Sequence, residues 1–341
     1  MLVGVKLVPL ALVTVLLAAG QTGPSVPAVP PDAQPSFSQW LSELIEDARA
    51  RGYDDAVIDA TLRDVQPLPP VVASDRNQAE LTLTLDRYIA SRLTPLMVRR
   101  GRDMARTHRA LLERLERSYG VPRQYLLAIW GLESRYGRAM GRTPVFQALA
   151  TLAWEPRRAT FFRGQLFDAL TMVARGDIDA STMTGSWAGA MGQTQFMPSS
   201  YLQYAVDFDG DGHRDIWRST PDALASIANY LKGYGWEAGG TWGREVRLDQ
   251  HAVAAIDGLP RREDGCYAIR TMTTRQPLET WRQLGVRLAS GKPLPRGSVM
   301  AALAVVGTRT FLTYPNYEAL LGYNCAHFYG LSVAMLADRL R

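Results

Sequence analysis

At 341 residues the chain is long enough to bury a sizeable core, and its 47% apolar and 21% charged residues are ordinary globular usage, which excludes a disordered chain or a bundle of membrane helices. A formal net charge of +5 is modest for this length and argues against a nucleic-acid binder. Length alone allows one large domain or two or three smaller ones.

In chain order, Lys6 precedes an uncharged run over residues 7–19 that closes on Ala18, Ala19 and Gly20, the pattern of a secretory signal peptide at residues 1–20. The run is short for a bilayer span, so a retained anchor or a buried helix is the lesser reading. Losing Lys6 with the leader takes the formal charge from +5 to +4. Gln21 follows, and the cysteines are Cys266 and Cys325, so no residue near the cleavage point can accept a lipid and the mature protein is expected to be soluble. In an oxidising compartment the two cysteines could pair; the sequence leaves their proximity open.

Residues 21–36 carry several prolines and no apolar periodicity, and read as a flexible linker. From residue 37 the pattern is helical, with amphipathic runs at 37–51, 54–63 and 81–114, the last broken near Pro95. Arg99, Arg100, Arg102, Arg106, Arg109, Arg114 and Arg117 cluster there, interrupted by Asp103, Glu113 and Glu116 and without interleaved aromatics; this reads as a solvated face, with an anionic polymer as the alternative partner. A second helical block runs from 121 to about 236, interrupted by glycine-rich loops. Residues 239–295 turn to short β-branched or alternating runs, 245–248 and 266–273 among them, and read as a small strand-containing insertion. Helical pattern returns at 317–320 and 332–340, so the segment 296–341 is expected to pack back on the helical core. The class is mainly α with a minor β part, α+β.

Three stretches can carry chemistry. Residues 121–137 predict one helix with Pro122 near its first turn and Gly137 as its stop, and Leu126, Ile129, Trp130 and Glu133 then share a face. A carboxyl desolvated among Leu and Trp side chains has its charged form disfavoured, which suits a glycosidic general acid; a Glu paired at the surface with Arg135 or Arg138 is the bland alternative. Residues 185–201, GSWAGAMGQTQFMPSSY, are dense in Gly, amide and hydroxyl groups and poor in charge, as a carbohydrate cleft requires, although glycine-rich turns between buried helices look similar. Residues 207–215, DFDGDGHRD, supply Asp207, Asp209, Asp211 and Asp215 with Gly212 at the spacing of a calcium loop. Arg218 stands where such a loop would close with Glu, and Asp222 is the candidate replacement. Clustered carboxylates repel without a cation, and an all-oxygen donor set favours calcium in a structural role. No Gly-x-Ser-x-Gly or phosphate-loop motif accompanies these, and His108, His213, His251 and His327 are scattered.

The chain resembles the lytic murein transglycosylase B family over residue 37 to the C-terminus, through GLESRYG at 131–137, AGAMGQTQFMPSSY at 188–201, the loop at 207–215 and ASIANYL at 225–231. The resemblance implies a catalytic region at 37–341: an added helical part at 37–120, a lysozyme-like core at 121–238 with the metal loop at 207–222, a small β-containing part at 239–295 and a return to the core at 296–341. It implies non-hydrolytic cleavage of the β-1,4 bond between N-acetylmuramic acid and N-acetylglucosamine, with a 1,6-anhydromuramoyl product. Glu133 is then the sole catalytic carboxylate. Ser186, Gln195, Phe196, Tyr230, Tyr323 and Asn324 map around the cut bond, with Tyr88, Arg157, Arg158 and Phe161 as further glycan or peptide contacts; Phe161 stands where a relative can carry Tyr. The metal ligands map to Asp207, Asp209, Asp211, the His213 carbonyl and Asp222. No organic cofactor is implied, calcium is. Peptidoglycan strands are the expected partner, with other cell-wall enzymes open, nucleic acid excluded, a monomer favoured and the periplasm the expected location. A hydrolytic muramidase and an inactive peptidoglycan-binding protein are the alternatives.

Overall fold

The computed structural model describes residues 34–76 and 83–341. The leader expected at 1–20 and the linker up to residue 33 lie outside the described residues. The end of that linker is already fastened: Gln34 donates to the Trp154 carbonyl at 2.9 Å, and the Trp154 indole N–H donates to the Pro35 carbonyl at 3.0 Å.

Helix α1 (Phe37–Ala50) starts at Ser36, which exchanges side-chain and backbone hydrogen bonds with Gln39 in a capping box. It is followed by α2 (Asp55–Thr61) and α3 (Pro69–Arg76), the last not foreseen from the sequence. The long run expected over 81–114 is three helices, α4 (Leu85–Arg92), α5 (Pro95–Thr107) and α6 (Arg109–Tyr119). The break at Pro95 is as expected, with Thr94 as the cap, but a second falls at His108, so the arginine cluster is divided between two helices. Arg106 pairs with Asp103 and Arg109 with Glu113, as on a solvated face.

The second block holds α7 (Arg123–Ser134), β1 (Thr143–Pro144), α8 (Val145–Trp154), α9 (Ala159–Ala174), β2 (Thr184–Gly185), α10 (Pro198–Tyr204) and α11 (Thr220–Gly233). Then come β3 (Gly243–Arg247), α12 (Gln250–Asp257), α13 (Tyr267–Arg270), β4 (Gln276–Pro277), α14 (Leu278–Gln283), β5 (Arg287–Leu288), β6 (Met300–Val306), β7 (Arg309–Thr313), α15 (Pro315–Tyr323) and α16 (His327–Arg339).

The helices form two apolar cores. In one, α7 is surrounded by α4–α6, α11 and α16. In the other, Leu44, Ala48, Ile58 and Leu62 of the N-terminal helices pack on α8–α10. The helical part expected as one unit at 37–120 is thus split: the apolar faces of α1–α3 are buried on α8–α10, whereas α4–α6 serve the core around α7. Tyr323 touches both cores, and the cleft described below opens where they meet.

The sheet has the order β4-β6-β7-β3-β5, each neighbouring pair antiparallel. Residues 245–248 were expected as a strand, and β3 covers most of them. Residues 266–273 are instead α13 and its turns, because their backbone bonds close locally: Arg270 N–H donates to the Cys266 carbonyl at 3.1 Å and Met272 N–H to Ile269 at 3.0 Å, and Thr273 alone reaches the sheet, through Leu303. The sheet also runs past residue 295, to Thr313. In β6, Ala301 and Leu303 face the small core with Trp281 and Ile256, while Ala302, Ala304 and Val306 face the helical core. A strand buried on both faces shows no alternation, which is why its sequence hid it.

Candidate active site

In helix α7 every residue from Tyr125 to Gly131 is buried, so over that stretch the expected apolar stripe extends around the whole helix. Glu133 lies in its last turn and is 8% exposed. The helix ends at Ser134 rather than at Gly137. Arg135, Tyr136 and Gly137 follow with φ of 52°, 61° and 77°, a left-handed turn that brings the chain back on itself. Tyr136 lies edge-on to Trp130 at 5.4 Å and donates to the Met97 carbonyl at 3.1 Å. It fits because residue 131 is glycine; a Cβ there would come within 2.7 Å of the tyrosine ring. Ser134 Oγ accepts from Gly137 N–H at 3.0 Å, and the Trp130 indole donates to Gln193 at 2.9 Å, tying the turn to the glycine-rich segment. Glu133 is therefore mounted on a stiff corner.

Two arms of a cleft share Glu133. One, of about 950 Å³, is lined by Arg92, Met97, Leu132, Arg135, Arg138, Ser186 and Trp187 among others. The other, of about 470 Å³, is lined by Gln195, Phe196, Tyr230, Tyr234, Tyr323 and Asn324, and also by Cys266 and Cys325. Those cysteines form a disulfide with Cα atoms 6.1 Å apart, which joins the insertion to the residue after Asn324. A narrow extension places Tyr88, Arg92, Tyr329 and Ser332 against Glu133.

Most of the residues foreseen around the cut bond are thus brought together. Ser186 Oγ accepts from Ala190 N–H at 3.0 Å and Ala188 N–H at 3.3 Å, so its orientation is set by the loop. Gln195, at φ 51°, spends its amide N–H groups on the Gly192 and Met140 carbonyls at 2.8 and 3.1 Å. Its Oε1, like Asn324 Oδ1, is buried with no hydrogen-bond partner among the described residues. Phe196, Tyr230 and Tyr323 form one aromatic wall, with ring centroids 4.6–5.8 Å apart. Tyr323 donates to the Thr194 carbonyl at 2.6 Å and Tyr230 to the Gly322 carbonyl at 2.8 Å. Burial, and then the negative charge of Glu133, hold the hydroxyls of Tyr323 and Tyr329 well above the ordinary tyrosine range, so both stay protonated donors.

Arg157, Arg158 and Phe161 stand apart from the cleft lining. Arg157 and Arg158 both pair with Asp75 of α3, the former at 3.2 Å. Phe161 is exposed with its ring edge-on to Phe162 at 5.1 Å. Tyr329 and Arg92 were missed by the sequence reading. The available signal was the spacing of Tyr329 and Ser332, polar groups three apart on an apolar helix.

A second carboxylate, Glu318, lines the aromatic arm, but Arg262 and Arg275 hold it at 2.7 and 2.6 Å. At the acidic loop, one oxygen from each of Asp207, Asp209, Asp211 and Asp222 lies within 4.8 Å of the others. Asp222 is buried at the start of α11 and accepts from Phe208 N–H at 2.8 Å and Asp215 N–H at 2.9 Å. Burial pushes its carboxyl up, against those two bonds, and the charge of Asp209 adds to the push. His213 belongs to the same turn and donates its N–H to Asp211 at 2.8 Å. Asp215 is turned to Trp217 and Arg218 N–H groups at 2.9 Å.

Residues 36–338 match the family model of the transglycosylase SLT domain. The chain belongs to that family. It is 34% identical to the membrane-bound lytic murein transglycosylase B of Escherichia coli (strain K12), over 89% of this chain and 82% of that protein. Among solved structures it is similar to SltB3 from Pseudomonas aeruginosa in complex with NAG-anhNAM-pentapeptide, with a TM-score of 0.80 and 43% identity over 89% of this chain and 79% of that one. It is also similar to the E. coli lytic transglycosylase Slt35 in complex with calcium, with a TM-score of 0.71 and 31% identity over 90% and 93% of the two chains. The fold is the lysozyme-like one of these enzymes, and this transglycosylase is an enzyme acting on peptidoglycan. No helix among its described residues is long and apolar enough to cross a membrane.

Proposed function

We propose that Glu133 alone carries out the lytic transglycosylase reaction at the junction of the two arms. As the acid it gives its proton to the oxygen linking N-acetylmuramic acid to N-acetylglucosamine, and the bond from that oxygen to the muramoyl C1 breaks, releasing the N-acetylglucosamine hydroxyl. As the resulting carboxylate it takes the proton of the muramoyl C6 hydroxyl, whose oxygen bonds to C1. Atoms balance without water, and the product is a 1,6-anhydro end. The observation that supports this is that the second carboxylate lining the cleft, Glu318, is already neutralised by two arginines, whereas two-carboxylate hydrolysis needs both.

Ser186, Gln195 and Asn324 fit a role as hydrogen-bonding groups to the sugars, the last two through buried oxygens that lack partners. Phe196, Tyr230, Tyr323 and Tyr88 form the walls that position the ring. Arg157, Arg158 and Phe161 suit contact with stem peptide further along the strand. Asp207, Asp209, Asp211 and Asp222, with the His213 carbonyl, would hold a calcium ion, since four carboxylate oxygens this close fit a hard cation. Such an ion would brace the start of α11 and supply no chemistry. The leader at 1–20 supports export to the periplasm and action there as a soluble enzyme on glycan strands.

Mass spectrometry of products released from purified sacculi tests the reaction. Muropeptides lighter by one water than their reducing-end counterparts are expected; reducing ends would make the enzyme a muramidase, and no release would leave a binding protein.

A further inference from the structure

Beyond the residues around the cut bond, the aromatic arm ends on a side chain with no assigned role. Tyr234 is the residue that closes α11, and it is 45% exposed. Its ring is nevertheless held. One face lies flat against Tyr230, with centroids 4.7 Å apart and planes within 8°. Tyr204 leans on the same pair, 4.5 Å from Tyr230 and 5.9 Å from Tyr234. Residue 322 is glycine, and a Cβ there would come within 2.1 Å of the Tyr234 ring, so the ring sits directly on backbone. That same Gly322 carbonyl accepts from Tyr230, so the stack is tied to the segment that carries Tyr323 and Asn324.

A ring packed for stability alone is buried, as Tyr201 is. Immobilising an exposed ring gains little from burial but removes the ordering cost that a ligand would otherwise meet. Tyr234 also lines the arm that begins at Glu133 and passes Phe196, Tyr230 and Tyr323. The surroundings are amide, hydroxyl and aromatic, and the one carboxylate at this end, Glu318, is neutralised. Such a wall suits an uncharged, ring-shaped ligand with one apolar face, which is the shape of a pyranose.

We propose that Tyr234 is a stacking platform for a sugar ring of the glycan strand, a distal subsite at the end of the aromatic arm, pre-set by Tyr230, Tyr204 and Gly322. The proposal rests on the reading of the cleft as a glycan channel. Aromatic stacking of this kind corresponds to about three- to tenfold in affinity.

The test is calorimetric titration of peptide-free glycan oligomers into Glu133→Gln protein, which keeps the ligand intact, with Tyr234 varied on that background. Tyr234→Ala is expected to weaken binding by about three- to tenfold, while Tyr234→Phe and Tyr234→Trp bind as tightly as the parent and thermal midpoints stay together. In otherwise unaltered enzyme, Tyr234→Ala raises KM on sacculi and leaves kcat in place, the signature of lost uniform binding. Equal affinity in Tyr234→Ala overturns the platform. So does a Tyr234→Phe variant as weak as the alanine one, since the hydroxyl rather than the ring would then be the contact. The titration needs no turnover, so it reads the platform even if product analysis overturns the proposed reaction.

Discussion

Glu133 sits in the last turn of α7 and Asp222 in the first turn of α11, and the two carboxylates are 8% and 0% exposed. Equal burial hides opposite surroundings. At the end of α7 the helix dipole is negative, and Tyr88, Arg92, Tyr329 and Ser332 line the space against Glu133. At the start of α11 the dipole is positive, and Phe208 and Asp215 N–H groups point at Asp222, which offsets part of the cost of burying its charge. Burial by itself therefore says little about function. The first carboxylate stands where the two cleft arms meet; the second has three more carboxylates gathered within 4.8 Å of it.

The largest effect that can break this contrast is at Glu133. Glu133→Gln should lower the release of anhydro-muropeptides by at least about a hundredfold, with an unchanged melting midpoint, since the amide keeps the shape and cannot cycle a proton. Sacculus digestion and a thermal melt on the same sample check it; near-full activity would end the assignment. Asp222 should give the converse. Asp222→Ala leaves the Phe208 and Asp215 N–H groups without their acceptor and should cost about 1–3 kcal/mol of stability, while activity per folded molecule is kept. Chelation should lower the midpoint of the unaltered protein in the same direction, and added calcium should restore it. A melt insensitive to chelator would mean that the loop holds no ion.

The smallest effect separates burial from both roles. His327 is pushed down to about 4 by burial, with its ring nitrogens 3.0 Å from the Tyr317 hydroxyl and 2.9 Å from the Thr271 hydroxyl. Its folded form thus resists protonation while the unfolded chain takes up a proton near the ordinary value. Stability should be fully present above pH 6.5 and be lost as the pH falls from there through about 4. Denaturant titrations across that window, with and without His327→Asn, check the slope, which the substitution should flatten.

The parts of the site that were legible in the sequence are those whose chemistry is local. Asp207, Asp209, Asp211 and Gly212 lie within six consecutive positions, and their spacing alone specifies the turn. Glu133 on an otherwise apolar helix is visible for the same reason. Asp222 was reachable because it opens the next helix. Other features had no such signature. The three-helix division of 81–114 turned on His108, which has no breaker chemistry of its own. Helix α13 replaced a strand because its hydrogen bonds close within a few residues, and β6 read as a featureless apolar run because both of its faces are covered. Tyr329 and Tyr234 look like any other aromatics until the fold sets one against Glu133 and the other on Gly322.

The sequence by itself determined the mainly helical class, the carboxylate on its apolar helix, the acidic loop and the family, because each is written in spacings of a few residues. Tertiary structure alone decided that α1–α3 belong with α8–α10, that Cys266 meets Cys325, that Glu318 is neutralised and that the cleft has two arms meeting at Glu133. Those facts depend on contacts between residues far apart in the chain, where side-chain volume and pairing, rather than local periodicity, choose the partner.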